Sequence, residues 1–146
     1  MKKFKKLTVL FLVISVVLAS CNKDDDSSSA AIEGSWELTK SGSITADGNE
    51  QLMDYPFNNV GCNKDYIEII TGGTTAEHYF NDDNNGQGCY EEIEIGTYTK
   101  EGNVLTIISS GYTQIGEILE LNNSTLKVKY SYPNSTVIEI IVYKRK

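Results

Sequence analysis

An all-β domain is the fold that this sequence predicts, as an antiparallel up-and-down meander that closes into a barrel of about eight strands. From residue 31 onward, short runs of alternating apolar and polar residues recur, and clusters of Gly, Asn and Asp separate them. No stretch of this region has the apolar period of a helix. The predicted strands are 32–40, 52–57, 66–71, 75–80, 92–100, 103–109, 112–121, 126–132 and 137–143.

The later runs are joined by residues that favour tight turns. Gly102 can take a positive φ between two runs, Asn122 and Asn123 can do the same in the next connection, and Pro133 ends the ladder at a longer corner. Serial hairpins leave two unpaired edges, and closing the sheet on itself removes both. A β-sandwich is the alternative, but it would carry its core Trp on a middle strand, whereas Trp36 lies on the first.

Counting residues across the last turns predicts which side chains face the barrel interior. An even connection at Asn122 places the odd-numbered residues of 115–121 on the side of Leu126, Val128 and Tyr130. A three-residue connection at Pro133 would add the even-numbered residues of 138–142 to that side. The predicted inner wall consists of Ile115, Glu117, Leu119, Leu121, Leu126, Val128, Tyr130, Tyr132, Ile138, Ile140 and Val142.

Residues 1–20 have the features of a secretory signal peptide. Four lysines precede the apolar run 7–19, which is too short for a stable membrane span. The run ends in Leu18-Ala19-Ser20-Cys21, which resembles the bacterial lipobox that signal peptidase II cuts before a lipid-modified cysteine. The resemblance implies export through the general secretory pathway and an anchor of acyl chains, such as palmitate, on Cys21.

Residues 21–31 are predicted to form a disordered acidic tether, followed by one domain over 32–146. The tether is polar and has no aromatic residue, so it cannot bury enough apolar surface to offset its ordering entropy. Its Lys23-Asp24-Asp25 resembles the export signal of surface lipoproteins in Bacteroidota. This resemblance implies an outer-membrane protein that faces the cell exterior.

The charge balance excludes two classes of partner. The chain carries 13 Lys and Arg against 20 Asp and Glu, a net charge of −7, and −11 once the four signal-peptide lysines are removed. Phosphate backbones need clustered basic side chains, so nucleic acid is not an expected partner. Anionic headgroups repel such a domain, so the predicted membrane contact is the anchor on Cys21 alone. We expect a monomer.

Two cysteines remain once Cys21 carries lipid. Cys62 and Cys89 are expected to pair, because exported proteins meet an oxidising compartment. The loop-entropy model gives such a bridge about 3–4 kcal/mol of stabilisation. A zinc site would need three or four Cys or His ligands, and the chain has a single His, His78.

The sequence predicts neither catalysis nor a cofactor. Every nucleophile–base pair would have to use His78, which we expect on an edge strand or in solvent. Glu91, Glu92 and Glu94 are expected on a solvated face. One alternative is a calcium loop, because hard oxygen ligands surround a Gly turn; its ligands would be Asp83, Asn85, Gln87 and Glu94.

Several motifs resemble lipocalins, and in particular the lipocalin-like lipoproteins of Bacteroidota. Gly34-Ser35-Trp36 matches the opening Gly-x-Trp motif, and later stretches are similar along nearly the whole domain, namely 62–69, 96–98, 102–107, 118–121 and 124–128. The resemblance implies that Gly34 allows close packing at the barrel base, that Trp36 plugs it, and that Arg145 packs across Trp36. The second lipocalin motif, Thr-Asp-x-Tyr, is absent.

The leading functional prediction is a barrel that binds a small, largely apolar molecule, since eight strands are about the smallest barrel that can hold one. A cavity of about 300 Å³ or more would favour this function. The competing hypothesis is a surface structural or interaction protein whose barrel is filled by its own side chains. The candidate ligand contacts are Tyr79, Phe80, Glu117, Leu119, Val128, Tyr130, Tyr132, Ile138 and Ile140.

Overall fold

Nine antiparallel strands make up the computed structural model, which describes residues 30–45, 47–83, 88–132 and 138–146. Cys21, the candidate calcium ligands Asn85 and Gln87, and Pro133 lie outside these residues. No helix in the described part of the chain is long and apolar enough to cross a membrane. The strands are β1 (Gly34–Ile44), β2 (Glu50–Asp54), β3 (Tyr66–Ile70), β4 (Thr74–Asp82), β5 (Cys89–Glu101), β6 (Val104–Ser109), β7 (Tyr112–Leu121), β8 (Thr125–Ser131) and β9 (Ile138–Arg145).

Eight of these strands form a closed barrel. From β3 to β9 each strand pairs with the next, and β1 pairs with both β3 and β9. The predicted all-β meander and its closure into a barrel are therefore confirmed. Each predicted run overlaps one observed strand, because alternation and turn residues are both local signals of strand structure.

The ninth strand, β2, extends the sheet beside β1 and is not one of the eight strands that close the barrel. It pairs with residues 40–44 of β1, on the edge that β3 leaves free. A Cβ at Gly42 would collide with the Gln51 carbonyl and approach the backbone of Leu52, so only glycine permits this close crossing. Ile140 pairs with Gly42, shares its outer face and is fully buried there.

The predicted inner wall is correct for β8 and wrong for much of β7. Leu126, Val128 and Tyr130 are buried in the core, and Leu121 faces the same side as its partner Leu126. A register shift at Leu119, which is 41% exposed, reverses the faces before it. The predicted inward positions of Glu117, Leu119 and Ile115 are therefore wrong, and Glu117 instead pairs with Lys129 on the outer face.

The sequence prediction also assigns the even-numbered residues of β9 to the wrong face. Ser131 pairs with Ile138, and Lys129 pairs with Ile140, so Ile138, Ile140 and Val142 lie on the outer side of the barrel. The interior receives Glu139, Ile141 and Tyr143 instead. The pairing of Ser131 with Ile138 leaves an even number of residues between them, whereas a three-residue connection requires an odd number, and this difference of one position reverses the strand.

The barrel is capped at the end where β1 begins and β9 ends, which we call the closed end. Trp36 is fully buried, and its indole N–H donates to the Ile32 carbonyl at 2.6 Å. The Arg145 guanidinium lies 4.1 Å from the Trp36 ring centroid and donates to the carbonyls of Glu33 and Ala31. Gly34, at φ +132°, leaves the space that Arg145 occupies. These contacts place the three residues as the lipocalin resemblance implied.

At the opposite end, the predicted disulfide is present. Cys62 and Cys89 are bonded, with 5.7 Å between their Cα atoms. The bridge joins the connection between β2 and β3 to the first residue of β5. It therefore holds this connection against the rim of what we call the open end.

The two predicted turns differ in mechanism. Gly102 has a φ of +58°, as predicted. Asn122 does not supply a positive φ; its side-chain oxygen instead accepts hydrogen bonds from the backbone N–H groups of Ser124 and Thr125.

Candidate binding site

The interior near the closed end is filled by side chains. Trp36 and its neighbours form a continuous buried cluster in which Gly116 leaves room for Val128 and Tyr130. Such close packing leaves no room for a ligand in this half of the barrel. The cluster consists of Ile32, Trp36, Ile67, Ile69, Leu105, Ile107, Ile118, Leu126, Val128, Tyr130 and Tyr143.

Above this cluster, toward the open end, lies a cavity of about 80 Å³. Leucine and isoleucine side chains supply its apolar lining, while Glu77, Tyr79 and Gln114 provide polar groups. The volume is below the 300 Å³ taken above to favour a ligand. Its lining residues are Leu38, Tyr55, Tyr66, Ile67, Glu77, Tyr79, Ile107, Gln114, Ile141 and Tyr143.

A larger groove of about 430 Å³ adjoins the cavity at the rim. Tyr55 and Tyr79 line both spaces, so these two rings stand between the groove and the barrel interior. Phe57 is 69% exposed and contacts Tyr55 edge to face, at 5.5 Å between ring centroids. The groove is lined by Tyr55, Pro56, Phe57, Asn59, Asp65, Tyr79, Asn81 and Glu92.

The tyrosines of this region stay neutral over a wide pH range. Burial, reinforced by the charges of Asp65, Glu139 and Glu77, raises the pKa of Tyr55 to about 12. Burial and the hydrogen bond to Glu77, at 2.5 Å, raise the pKa of Tyr79 well above its usual value. The hydroxyl groups are therefore available as neutral donors and acceptors.

Four carboxylates share the inner face with these rings. Glu77 pairs directly with Glu94 across β4 and β5, and Glu92 pairs with Tyr79 one step nearer the rim. On the far wall, Glu139 faces inward beside Tyr130 and accepts a hydrogen bond from Tyr132 at 2.6 Å. The inner face of the open half is thus aromatic and acidic, and we call it the mouth: Tyr55, Glu77, Tyr79, Glu92, Glu94, Gln114, Tyr132 and Glu139.

Comparison with known protein families agrees with this architecture. Residues 32–128 match the model of the lipocalin-like domain. The chain belongs to the lipocalin-like domain family. No protein with a curated description matches it in sequence.

Two solved structures with similar folds come from Bacteroides species. A lipocalin-like protein of Bacteroides uniformis has a TM-score of 0.51 and 15% identity, covering 78% of this chain and 97% of that one. An uncharacterized protein of Bacteroides eggerthii has a TM-score of 0.50 and 13% identity, covering 78% and 98%. Both likenesses concern the fold alone.

The lipocalin-like barrel brings only some of the predicted contact residues together. Tyr79 lines the cavity, and Tyr132 lies at the rim. Val128 and Tyr130 belong to the filled cluster below the cavity. Four others lie off the inner face for the reasons given above: Glu117, Leu119, Ile138 and Ile140.

Phe80 also faces outward, as part of an aromatic cluster on the outside of the lipocalin-like barrel. His78 stacks on Tyr66 at 4.1 Å between ring centroids, and Phe80 lies 6.1 Å from Tyr66. His78 is buried and its Nδ1 lies 2.7 Å from a Glu91 carboxylate oxygen. The expectations that His78 is solvated and that Phe80 lines the mouth are therefore wrong.

Sequence reasoning missed Tyr55, Glu77, Gln114 and Glu139 as mouth residues, and it placed Glu94 on a solvated face. The available signal was the alternation of β4, but both faces of that strand are buried: the inner one by the barrel and the outer one by the aromatic cluster. Alternation could not identify the inner face there.

A metal centre is not formed by the residues that the structure describes, because no three His, Cys, Asp or Glu side chains converge. Of the calcium-loop candidates, Glu94 lies on the inner face of β5, whereas Asp83 follows the end of β4.

Proposed function

We propose that this lipocalin-like protein binds a small, largely apolar molecule in the open half of its barrel and that it is not an enzyme. The supporting observation is the cavity above the filled cluster, which adjoins the rim groove at Tyr55 and Tyr79. A ligand entering from the groove would meet apolar walls and a few polar groups, which is the usual composition of a small-molecule site.

The proposed ligand displaces the ring of Tyr55 as it enters. Tyr55 follows β2 rather than belonging to a barrel strand, and its exposed neighbour Phe57 has room to move with it. Connections of this kind adjust more readily than the paired strands around them. Movement of one ring would join the cavity and the groove into a single space.

The small enclosed volume favours a second candidate function. At about 80 Å³ the cavity is smaller than a typical ligand pocket, as expected of a surface interaction protein with a side-chain-filled barrel. The two functions differ in whether any molecule occupies the open half.

Extraction of the purified full chain with organic solvent, followed by mass spectrometry, tests the proposal. Binding predicts recovery of a stoichiometric apolar molecule, and its loss from a Tyr79→Ala variant. The matched control is Tyr112→Ala, at an exposed position outside the cavity and groove, which should retain the molecule. Repeated empty extracts would favour the filled barrel.

We also propose that the mature chain is a monomer held in the outer membrane by acyl chains on Cys21 and facing the cell exterior. The lipobox-like sequence at 18–21 and the acidic residues after it support this location. Metabolic labelling with a palmitate analogue should mark the wild type and not a Cys21→Ser variant. Protease treatment of intact cells should remove the domain, and its full protection would contradict the exterior placement.

A further inference from the structure

We propose that the ligand of the mouth carries an ammonium group on an apolar, aromatic-sized body, with the ammonium held between Glu77 and Glu94. This inference rests on the small-molecule binding proposed above and narrows the chemical class of the ligand.

The first argument is the direct pairing of two like charges on the inner face. Glu77 and Glu94 are cross-strand partners, so their Cβ atoms are expected about 4.5–5.5 Å apart. Such a pair destabilises the empty barrel, since each carboxylate repels the other at a partly buried position. A cation placed between them turns this repulsion into two favourable interactions.

The second argument is the contrast with acidic side chains elsewhere in the barrel. On the outer face Glu50 bonds Lys127, Glu117 bonds Lys129, and Glu37 bonds Lys64. No Lys or Arg among the described residues lies on the inner face of the open half; Arg145 and Lys100 lie at the closed end. Within the described ranges, the carboxylates of the mouth therefore have no Lys or Arg to neutralise them.

The third argument is the aromatic wall beside these carboxylates. Tyr55 and Tyr79 line the cavity with Glu77, and Tyr143, which faces inward from β9, is also part of its lining. Aromatic faces attract ammonium groups through the ring quadrupole, and they also bury apolar carbon. The arrangement suits a molecule with one cationic end and an apolar body.

An organic ammonium fits these groups better than a metal ion does. The mouth carboxylates do not converge as a set of three among the described residues, which a bare divalent ion would require. An ammonium group needs only two or three acceptors and tolerates aromatic neighbours.

Calorimetric titration of the full chain with three compounds of similar shape tests the inference: phenethylamine, phenethyl alcohol and phenylpropanoate. We expect the amine to bind about tenfold or more tightly than the alcohol, because it gains charged partners in a partly desolvated site. We expect no binding of the carboxylate. Raising the salt concentration should weaken binding of the amine and leave the affinity for the alcohol unchanged.

The double variant Glu77→Gln, Glu94→Gln should lose about tenfold in affinity for the amine and keep its affinity for the alcohol. The matched control is Glu117→Gln on the outer face, which should bind both compounds as the wild type does. Circular dichroism of each variant confirms that the barrel is folded.

The outcomes separate this inference from the proposed function. Equal affinity for amine and alcohol would overturn the ammonium assignment and leave small-molecule binding in place. Binding of none of the three, together with empty extracts, would overturn both. If calcium stabilised the protein and the amine did not bind, the acidic pair would be assigned to a metal ion and not to an ammonium group.

Discussion

The closed and open halves of this barrel are built from the same strands and differ in what their inner faces carry. Toward the closed end the inner residues are Trp36 and a layer of aliphatic side chains, and Arg145 seals the base. Toward the open end the same strands present tyrosines and glutamates around a cavity. The close packing that stabilises the fold is concentrated in one half, and the charged and aromatic groups of the mouth are in the other.

The strand β4 shows how one element serves both halves. Thr75 is fully buried beside Ile69 and Gly96, whereas Tyr79, two inner-face positions further on, borders the rim groove. A strand alternates its faces but can change composition along its length. The free energy gained by packing in the closed half can therefore offset the repulsion of a like-charge pair in the open half.

The largest expected loss of stability comes from truncating the central residue of the closed half. Trp36→Ala is expected to lower the free energy of unfolding by about 3–5 kcal/mol, because a fully buried indole and its hydrogen bond are lost. Urea denaturation measures the change. Tyr112→Ala, at a 76% exposed position near the rim, should change stability by less than about 0.5 kcal/mol. Similar losses for the two variants would contradict the division between the halves.

Removing the disulfide should destabilise the open end by a comparable amount. The double variant Cys62→Ser, Cys89→Ser is expected to lose about 3 kcal/mol, since the unfolded chain regains the freedom of the closed loop. The emission of Trp36 in the folded state should stay that of a buried indole, because the bridge lies at the other end. A red-shifted emission in the folded variant would show that the halves are coupled.

Alkaline pH should weaken the closed half through Tyr130. Burial raises the pKa of this tyrosine to about 12, from 10 in the unfolded chain. Its contribution is fully present below pH 10 and is lost as the pH rises toward 12, by roughly 2–3 kcal/mol. Unfolding measured at intervals up to about pH 12 should show this fall, and Tyr130→Phe should make it shallower. A Tyr112→Phe variant with the same shallow slope would contradict the assignment.

The smallest effect is expected at the acidic pair of the mouth. Glu77→Gln should raise the free energy of unfolding by about 0.2–1 kcal/mol, because it removes the repulsion from Glu94. The hydroxyl of Tyr79 can still donate to the glutamine oxygen. Thermal melts in low salt would detect the gain. A loss of stability instead would mean that the Glu77 carboxylate has a structural role.

The fold could be predicted because its signals are local. Alternation marked every strand, and Gly102 marked a tight turn where the chain needs a positive φ. The disulfide followed from the two cysteines left after Cys21. The Gly-x-Trp motif at Gly34 and Trp36 located the base through its resemblance to lipocalins.

The inner and outer faces of the last strands could not be assigned in the same way. The bulge at Leu119 falls within an apolar stretch, so it leaves no break in the pattern. Strand β9 carries apolar residues on both faces, because Ile140 is fully buried on the outer face opposite Gly42, where the backbone of β2 makes a close approach. One misplaced residue reverses a whole strand, and for this reason Glu117 was predicted where Glu139 is found.

The mouth could not be predicted from the sequence for a related reason. Acidic residues on a strand are usually solvated, and Glu94 belongs to a run of such residues at 91–94. Only the pairing of β4 with β5 shows that Glu94 and Glu77 point inward together. A contact between distant segments has no signature in either segment alone.

The bonds from Arg145 to the carbonyls of Ala31 and Glu33 determine where the N-terminal segment leaves the barrel. That segment departs from the closed end, on the far side from the mouth. If Cys21 carries the anchor proposed above, the tether joins the barrel at its base. The mouth then lies at the end of the barrel remote from the point of attachment.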